Sequence, residues 1–282
     1  MATSGKIDRR AFAALAATAW AGAGAARAAP AKPEPPVQGH GISFGPIVED
    51  RPRPKVGMLM FPGLTLMDFL GPQSALAPSC DVHTVWKNKE VMESDSGLEL
   101  RATSTFAECP KELDVIFVGG GPGQAAIMED PEVLHFLADR GARAKYVTSV
   151  CTGALVLGAA GLLQGYRAGT HWAALRVLPL FGATPVAERV VVDRNRITAG
   201  GVTSGIDFGL RLVATLVGED VAKIQQLAMQ YDPQPPYDVG TPAKAGPELT
   251  NQATAWMMRR NKVPAAAIRA SKAMGLYTPK VA

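Results

Sequence analysis

The stretch that decides the fold is Val147–Gly165, "VTSVCTGALVLGAAGLLQG". Its first four residues are β-branched or small and read as the end of a buried strand. After Thr152 the chain becomes a small, apolar segment with helical spacing. Cys151 stands where the chain must turn sharply from one to the other. A helix that needed only packing could begin on an ordinary capping residue, so a cysteine at this bend raises a question of chemistry.

Outward from this point, short apolar strands alternate with helical segments. "KVGMLMFPG" (55–63) is a strand closed by a Pro-Gly turn, and "LTLMDFLGPQSAL" (64–76) has helical spacing that Gly71-Pro72 is expected to break. "DVHTVWK" is a further strand, and "SGLELRATSTF" a small extra strand or hairpin. "LDVIFVGGGPG" is a buried strand running into a glycine-rich turn, and "DPEVLHFLADRGARA" a helix with an Asp cap and Pro in its first turn. After the central stretch come a helix from Ala173, two short strands about Asp193-Arg194-Asn195, and helices near 203–217 and 219–230. Residues 251–274 suggest more helix, packed on the core or on a partner subunit. This alternation predicts an α/β fold with a mostly parallel sheet and helices on both faces.

The amino terminus is of a different kind. The net charge of +4 is concentrated there: residues 1–28 carry Lys6, Arg9, Arg10 and Arg27 against Asp8 alone. The remainder is close to neutral, which argues against a nucleic-acid surface. A basic start with Arg9-Arg10, a weakly apolar Ala/Gly run and "ARA" before Ala29 have the layout of a twin-arginine export signal. Pro-rich residues 29–54 read as a linker, 55–240 as one α/β domain and 241–282 as a helical extension with a tail. The apolar run is too short and Gly-rich to favour a membrane span. The expected location is periplasmic or otherwise extracytoplasmic. Cys80, Cys109 and Cys151 match neither a CxxC metal site nor a disulfide framework, and an odd count leaves at least one free thiol.

In open α/β sheets functional groups collect beyond the carboxyl ends of the strands. Three such ends carry Asp68, Gly120-Gly121 and Cys151, which converge if their strands are neighbours. At its turn Cys151 is expected to expose its sulfur at the positive end of a helix, lowering its pKa; a small buried hydrophobe is the other reading of a free cysteine. "VGGGPG" can present amides which, with that of Thr152, would form an oxyanion hole, or it is simply a tight strand-ending turn. Asp68, alone among apolar neighbours, is expected to be buried with a raised pKa, unless it caps a helix. His171 in "GTHW" is a candidate base or a core histidine. No histidine follows Cys151, which argues against amide hydrolysis by a Cys–His pair.

"FPGLTLMDFLGP", "DVIFVGGGPG", "YVTSVCTGALVLGAAGLLQGYRAGTHW" and "ITAGGVTSGIDFGL" together resemble the ThiJ/PfpI superfamily, closest to its isonitrile hydratase branch, over residues 55–237. The resemblance implies a flavodoxin-like three-layer sandwich with a strand-to-helix nucleophile elbow. It implies Cys151 as nucleophile, Asp68 as its acidic partner, Thr152 beside the nucleophile, oxyanion or substrate contacts at Gly120, Gly121 and His171, a small-molecule substrate, no metal or organic cofactor, and a homodimer. Where the superfamily usually has Pro-Gly-Gly, this chain has Gly119-Gly120-Gly121. The expected reaction is hydration of an isonitrile to an N-substituted formamide through a thioimidate on Cys151. The alternatives are a thiol redox or ligand-sensing module, or an enzyme acting on reactive aldehydes or amides. AraC-type regulators keep a similar domain but add a helix-turn-helix region, for which the roughly 45 residues after Tyr237 are expected to be too few.

Overall fold

The structure, a computed structural model, describes residues 52–258 and 262–276. The expected export signal and nearly all of the linker lie outside the described residues. Eleven strands are described: β1 (Lys55–Leu59), β2 (Asp81–Trp86), β3 (Met92–Glu93), β4 (Glu99–Leu100), β5 (Ser104–Thr105), β6 (Val115–Val118), β7 (Tyr146–Val150), β8 (Arg167–Ala168), β9 (Thr184–Pro185), β10 (Val190–Asp193) and β11 (Arg196–Ala199). The helices are α1 (Leu66–Leu76), α2 (Gln124–Ile127), α3 (Pro131–Arg143), α4 (Gly153–Ala159), α5 (Ser204–Val217), α6 (Glu219–Ala228), α7 (Pro242–Met258) and α8 (Val263–Ala273), with a 3₁₀ helix at Trp172–Phe181.

The main sheet runs β10-β11-β7-β6-β1-β2-β5, parallel throughout except for β10 on its edge. Its central strands are apolar and buried: every residue of β6 is enclosed, as are all but the first of β1 and β7. A strand covered on both faces has no reason to alternate, which is why β1 and β6 read as apolar runs and β7 as a run of β-branched and small residues. One helical layer is α1 with α5 and α6; the other holds α2, α3, α4, the 3₁₀ helix and α8. This is the flavodoxin-like α/β sandwich. Because β1, β6 and β7 are adjacent, the turns after them open side by side.

Local chemistry explains the element ends. Asp130 caps α3 by accepting from the amides of Glu132 (3.1 Å) and Val133 (3.3 Å), with Pro131 in the first turn. α1 differs from the expectation that Gly71-Pro72 would break it, for it runs unbroken to Leu76 with Pro72 inside. Tertiary packing overrides the lost backbone bond. Pro72 lies against Gly205 and Gly209 of α5, where an added Cβ would meet Pro72 Cδ at 2.8 Å and Ala75 Cβ at 2.7 Å. α8 packs on the body through buried Val263, Ala266, Ala267 and Ala270, with the Ser271 hydroxyl donating to the Leu180 carbonyl at 2.6 Å. α7 is kinked at Gly246 and leaves Trp256 76% exposed.

The elbow depends on one very close approach. A Cβ on Gly153 would lie 2.1 Å from the Val118 carbonyl oxygen, so only glycine lets α4 start this near the end of β6. Gly153→Ala is therefore expected to cost about 3 kcal/mol in urea unfolding. Gly240→Ala, where an added Cβ meets nothing within 4 Å, is the matched control and should be near neutral. Equal midpoints for the two variants would contradict this account of the elbow.

Candidate active site

Cys151 has φ +56°, a left-handed conformation that costs a non-glycine residue about 1–2 kcal/mol. The surroundings impose it. Its amide donates to the Ala199 and Gly200 carbonyls at 3.1 and 2.8 Å, holding the turn to the end of β11. Its carbonyl accepts from the Thr170 hydroxyl at 2.8 Å. The backbone amides of Val202 and Thr152 are directed at the sulfur.

Two sequence expectations about Cys151 need correction. The side chain is not exposed: the residue is only 6% accessible, although it forms part of a cavity wall. Its pKa is raised, not lowered. Burial is the largest cause and the Asp68 charge the next; the amides of Val202 and Thr152 oppose both without overcoming them. The resting residue is a neutral thiol. At this elbow the cost of burial outweighs the pull of the helix terminus.

Asp68 lies in the first turn of α1, yet it does not cap that helix. The Thr65 amide donates to the Gly120 carbonyl (2.9 Å), and the first helical amide, of Leu66, donates to Asp95 Oδ1 at 3.3 Å. The Asp68 side chain instead turns inward and is completely buried. Its Oδ2 accepts from the Gly120 amide at 3.0 Å, while Oδ1 has no partner of full hydrogen-bond geometry. Burial pushes its pKa up to about 7, with a smaller upward push from the Asp95 charge; the Cys151 thiol and the Gly120 amide pull it back. The carboxyl and the thiol therefore face each other directly, each changing how the other titrates.

The glycine turn is arranged differently from the expected oxyanion hole. The Gly120 amide is committed to Asp68 and is not free for a ligand. The Gly121 amide donates to Thr152 Oγ1 at 3.2 Å, tying this turn to the residue after Cys151. A Cβ on Gly120 would stand 2.5 Å from Thr152 Oγ1 and 2.8 Å from Asp68 Oδ2, so the close contact requires glycine. The amide directed at the sulfur that sequence reasoning missed is that of Val202. Its signal was Gly200-Gly201 after β11, a strand whose place beside β7 the sequence alone did not fix.

His171 belongs to the cavity wall, with its ring used structurally. Nδ1 accepts from the Ala173 amide at 3.3 Å, capping the 3₁₀ helix, and burial lowers its pKa. With Nδ1 accepting, the neutral ring carries its proton on Nε2.

The cavity measures about 720 Å³. Cys151, Thr152 and Gly121 form one wall, Thr65, Gln124, Asp95 and His171 supply other polar groups, and among the described residues no Lys or Arg lines it. Trp256, Met257, Val263 and Pro264 reach it from the C-terminal helices. Asp68 is not on the wall, so the thiol is the part of the pair that a ligand meets. Asp95, Gln124 and Trp256 carried no signal in the sequence. Cys80 and Cys109, buried elsewhere, are free thiols and do not pair. Among the described residues no cluster of His, Cys, Asp and Glu could hold a metal ion, and no helix is long and apolar enough to cross a membrane.

Residues 54–215 match the DJ-1/PfpI family. The chain belongs to that family. It is 50% identical to the isonitrile hydratase of Pseudomonas putida over 201 residues, covering 71% of this chain and 88% of that enzyme. The crystal structure of a ThiJ/PfpI family protein from Pseudomonas syringae superposes with a TM-score of 0.74 at 44% identity, covering 77% of this chain and 91% of that one. A helix-turn-helix transcriptional regulator of Pseudomonas aeruginosa, GbdR, is 29% identical over 143 residues, half of this chain but 38% of the regulator. The DJ-1/PfpI family thus includes regulators as well as enzymes.

A buried acid with a raised pKa gives a definite pH signature. Asp68 keeps its proton in the fold up to about pH 7, whereas its ordinary value is 3.8. The stability tied to the protonated form is complete below about pH 4 and is lost as pH rises through 7, at roughly 1.4 kcal/mol per unit within that window. Urea unfolding at pH 5 and pH 8 should therefore show the wild type losing stability relative to Asp68→Asn at the higher pH. A difference that does not change with pH would mean that the carboxyl is not buried in this way.

Proposed function

We propose that the protein hydrates an isonitrile to an N-substituted formamide. The observation that carries this reading is a buried thiol on a cavity wall with the fully buried Asp68 carboxyl behind it. The likeness to the Pseudomonas putida isonitrile hydratase over most of that enzyme's length supports it.

An isonitrile asks for this kind of pair. Its terminal carbon takes both a proton and a nucleophile, so the elements of S–H add to one atom, giving Cys151–S–CH=N–R. The active form of the pair holds one proton between carboxyl and sulfur. Sulfur forms the C–S bond as that proton passes to the carbon, leaving Asp68 ionised. Water then adds to the thioimidate carbon, and the C–S bond breaks to release R–NH–CHO and restore the shared proton. The Val202 and Thr152 amides stabilise the negative sulfur at both stages. No metal or organic cofactor is called for.

Two alternatives fare worse on specific grounds. A thiol that burial holds neutral is a slow target for peroxide, which weakens the redox-sensor reading. His171, engaged as a helix cap, is unsuited to the base role that amide hydrolysis would ask of it. A homodimer, and export by the twin-arginine-type segment at residues 1–28, complete the proposal. Light scattering of the purified protein, and fractionation of cells expressing the full chain, would refute these by finding a monomer or a cytoplasmic pool alone.

The decisive assay incubates purified protein with cyclohexyl isonitrile and measures the formamide. Cys151→Ala should reduce turnover to background while the thermal midpoint is kept, and Asp68→Asn should lower kcat by roughly 100-fold. In the wild type kcat/KM should rise as pH passes through about 7, the value at which the pair loses its first proton. Turnover surviving in Cys151→Ala would dismiss the mechanism.

A further inference from the structure

We propose that Gln124 holds the water molecule that hydrolyses the thioimidate, an inference that rests on the function above and adds the residue its second half lacks. Gln124 opens α2 directly after the glycine turn and is only 2% exposed. It lines the cavity, and its side-chain Oε1 is enclosed with no hydrogen-bond donor. A buried carbonyl left unbonded costs about 1–3 kcal/mol, so the fold keeps here a polar group that satisfies nothing within the protein.

Several acceptors around the nucleophile already hold a donor. Asp68 is behind the thiol. Thr152 Oγ1 accepts from the Gly121 amide, His171 Nδ1 from the Ala173 amide, and Asp95 Oδ1 from the Leu66 amide. Gln124 is also fixed relative to Cys151. Its own amide donates to the Gly121 carbonyl at 3.1 Å, and Gly121 in turn is bonded to Thr152, the neighbour of the nucleophile.

Substrate chemistry does the rest. The isonitrile group has neither an N–H nor an O–H, so it cannot satisfy the Gln124 carbonyl. A water beside the alkyl isonitrile can do so, in a cavity whose wall is apolar at Ala173, Ala174, Val177, Val263 and Pro264. One water per turnover is also what the thioimidate consumes. That water donates one hydrogen bond to Gln124 Oε1 and forms the C–O bond to the thioimidate carbon. Its two protons end on the formamide nitrogen and, through the Asp68–Cys151 pair, on the departing sulfur. Gln124 itself gains and loses none.

The test uses the full protein, cyclohexyl isonitrile and rapid quenching, with intact mass for the Cys151 adduct and chromatography for the formamide. Gln124→Leu should form the adduct within about twofold of the wild-type rate but release formamide roughly 100-fold more slowly, so that the adduct accumulates. Gln124→Glu, which can still accept from water, should recover most of the release. If Gln124→Leu lacks a cooperative melt, Gln124→Met is read by the same criteria. Formamide release at the wild-type rate, or equal loss of adduct formation and release, would overturn the role of Gln124 while leaving the proposed activity standing. A wild type that yields neither adduct nor formamide would overturn both.

Discussion

The site depends on enclosing a carboxyl and a thiol together where two negative charges cannot coexist. Asp68 is fully buried and Cys151 nearly so, and burial raises the pKa of both. Water would normally solvate such groups; here a few fixed dipoles take its place. The Gly120 amide holds the carboxyl, and the Val202 and Thr152 amides are directed at the sulfur. With so little solvation the pair prefers to retain a proton, and the question of catalysis becomes where that proton sits. The elbow is the mechanical side of the same constraint. A strained φ at Cys151, a glycine pressed on the Val118 carbonyl and the double acceptor at the end of β11 keep the sulfur from turning away.

Much of this was legible because the sheet order follows simple rules. Apolar runs at 56–59 and 115–118 and a β-branched and small run at 147–150 imply a parallel sheet buried on both faces, and ligand groups collect beyond the ends of such strands. β1, β6 and β7 are indeed adjacent, so Asp68, the glycine turn and Cys151 meet. The isolation of Asp68 among apolar residues was enough to foresee its burial and the direction of its pKa. The family likeness was equally legible, since its motifs are the turns themselves.

The features that escaped depend on depth or on distant pairing. A strand-to-helix bend tells that a sulfur points toward a pocket but not how much solvent reaches it, and the pKa of Cys151 changes direction on that one quantity. Gly120 was expected to serve a ligand, but the carboxyl behind it has the stronger claim on its amide. Val202 reaches the sulfur only because β11 pairs with β7, a contact some fifty residues apart in sequence. Helix α1 survives Pro72 because Gly205 and Gly209 of α5 admit the ring. Such effects leave no local pattern in the residues that feel them.

The division between the family domain and the rest of the chain carries a last consequence. The match to the DJ-1/PfpI family ends at residue 215, and it contains the thiol, the acid and the glycine turn. Trp256, Met257, Val263 and Pro264, which complete the cavity, all lie beyond it. The thiol, the acid and the glycine turn therefore lie within the matched segment, while an apolar side of the cavity is built from helices beyond it. A buried thiol–acid pair commits to no substrate until something defines the space above it. In this chain α7 and α8 supply that definition, and α8 is anchored by Ser271 and by the Arg269–Glu129 ion pair at 2.6 Å. The size and polarity of what reaches Cys151 are thus set in part by residues beyond the matched segment.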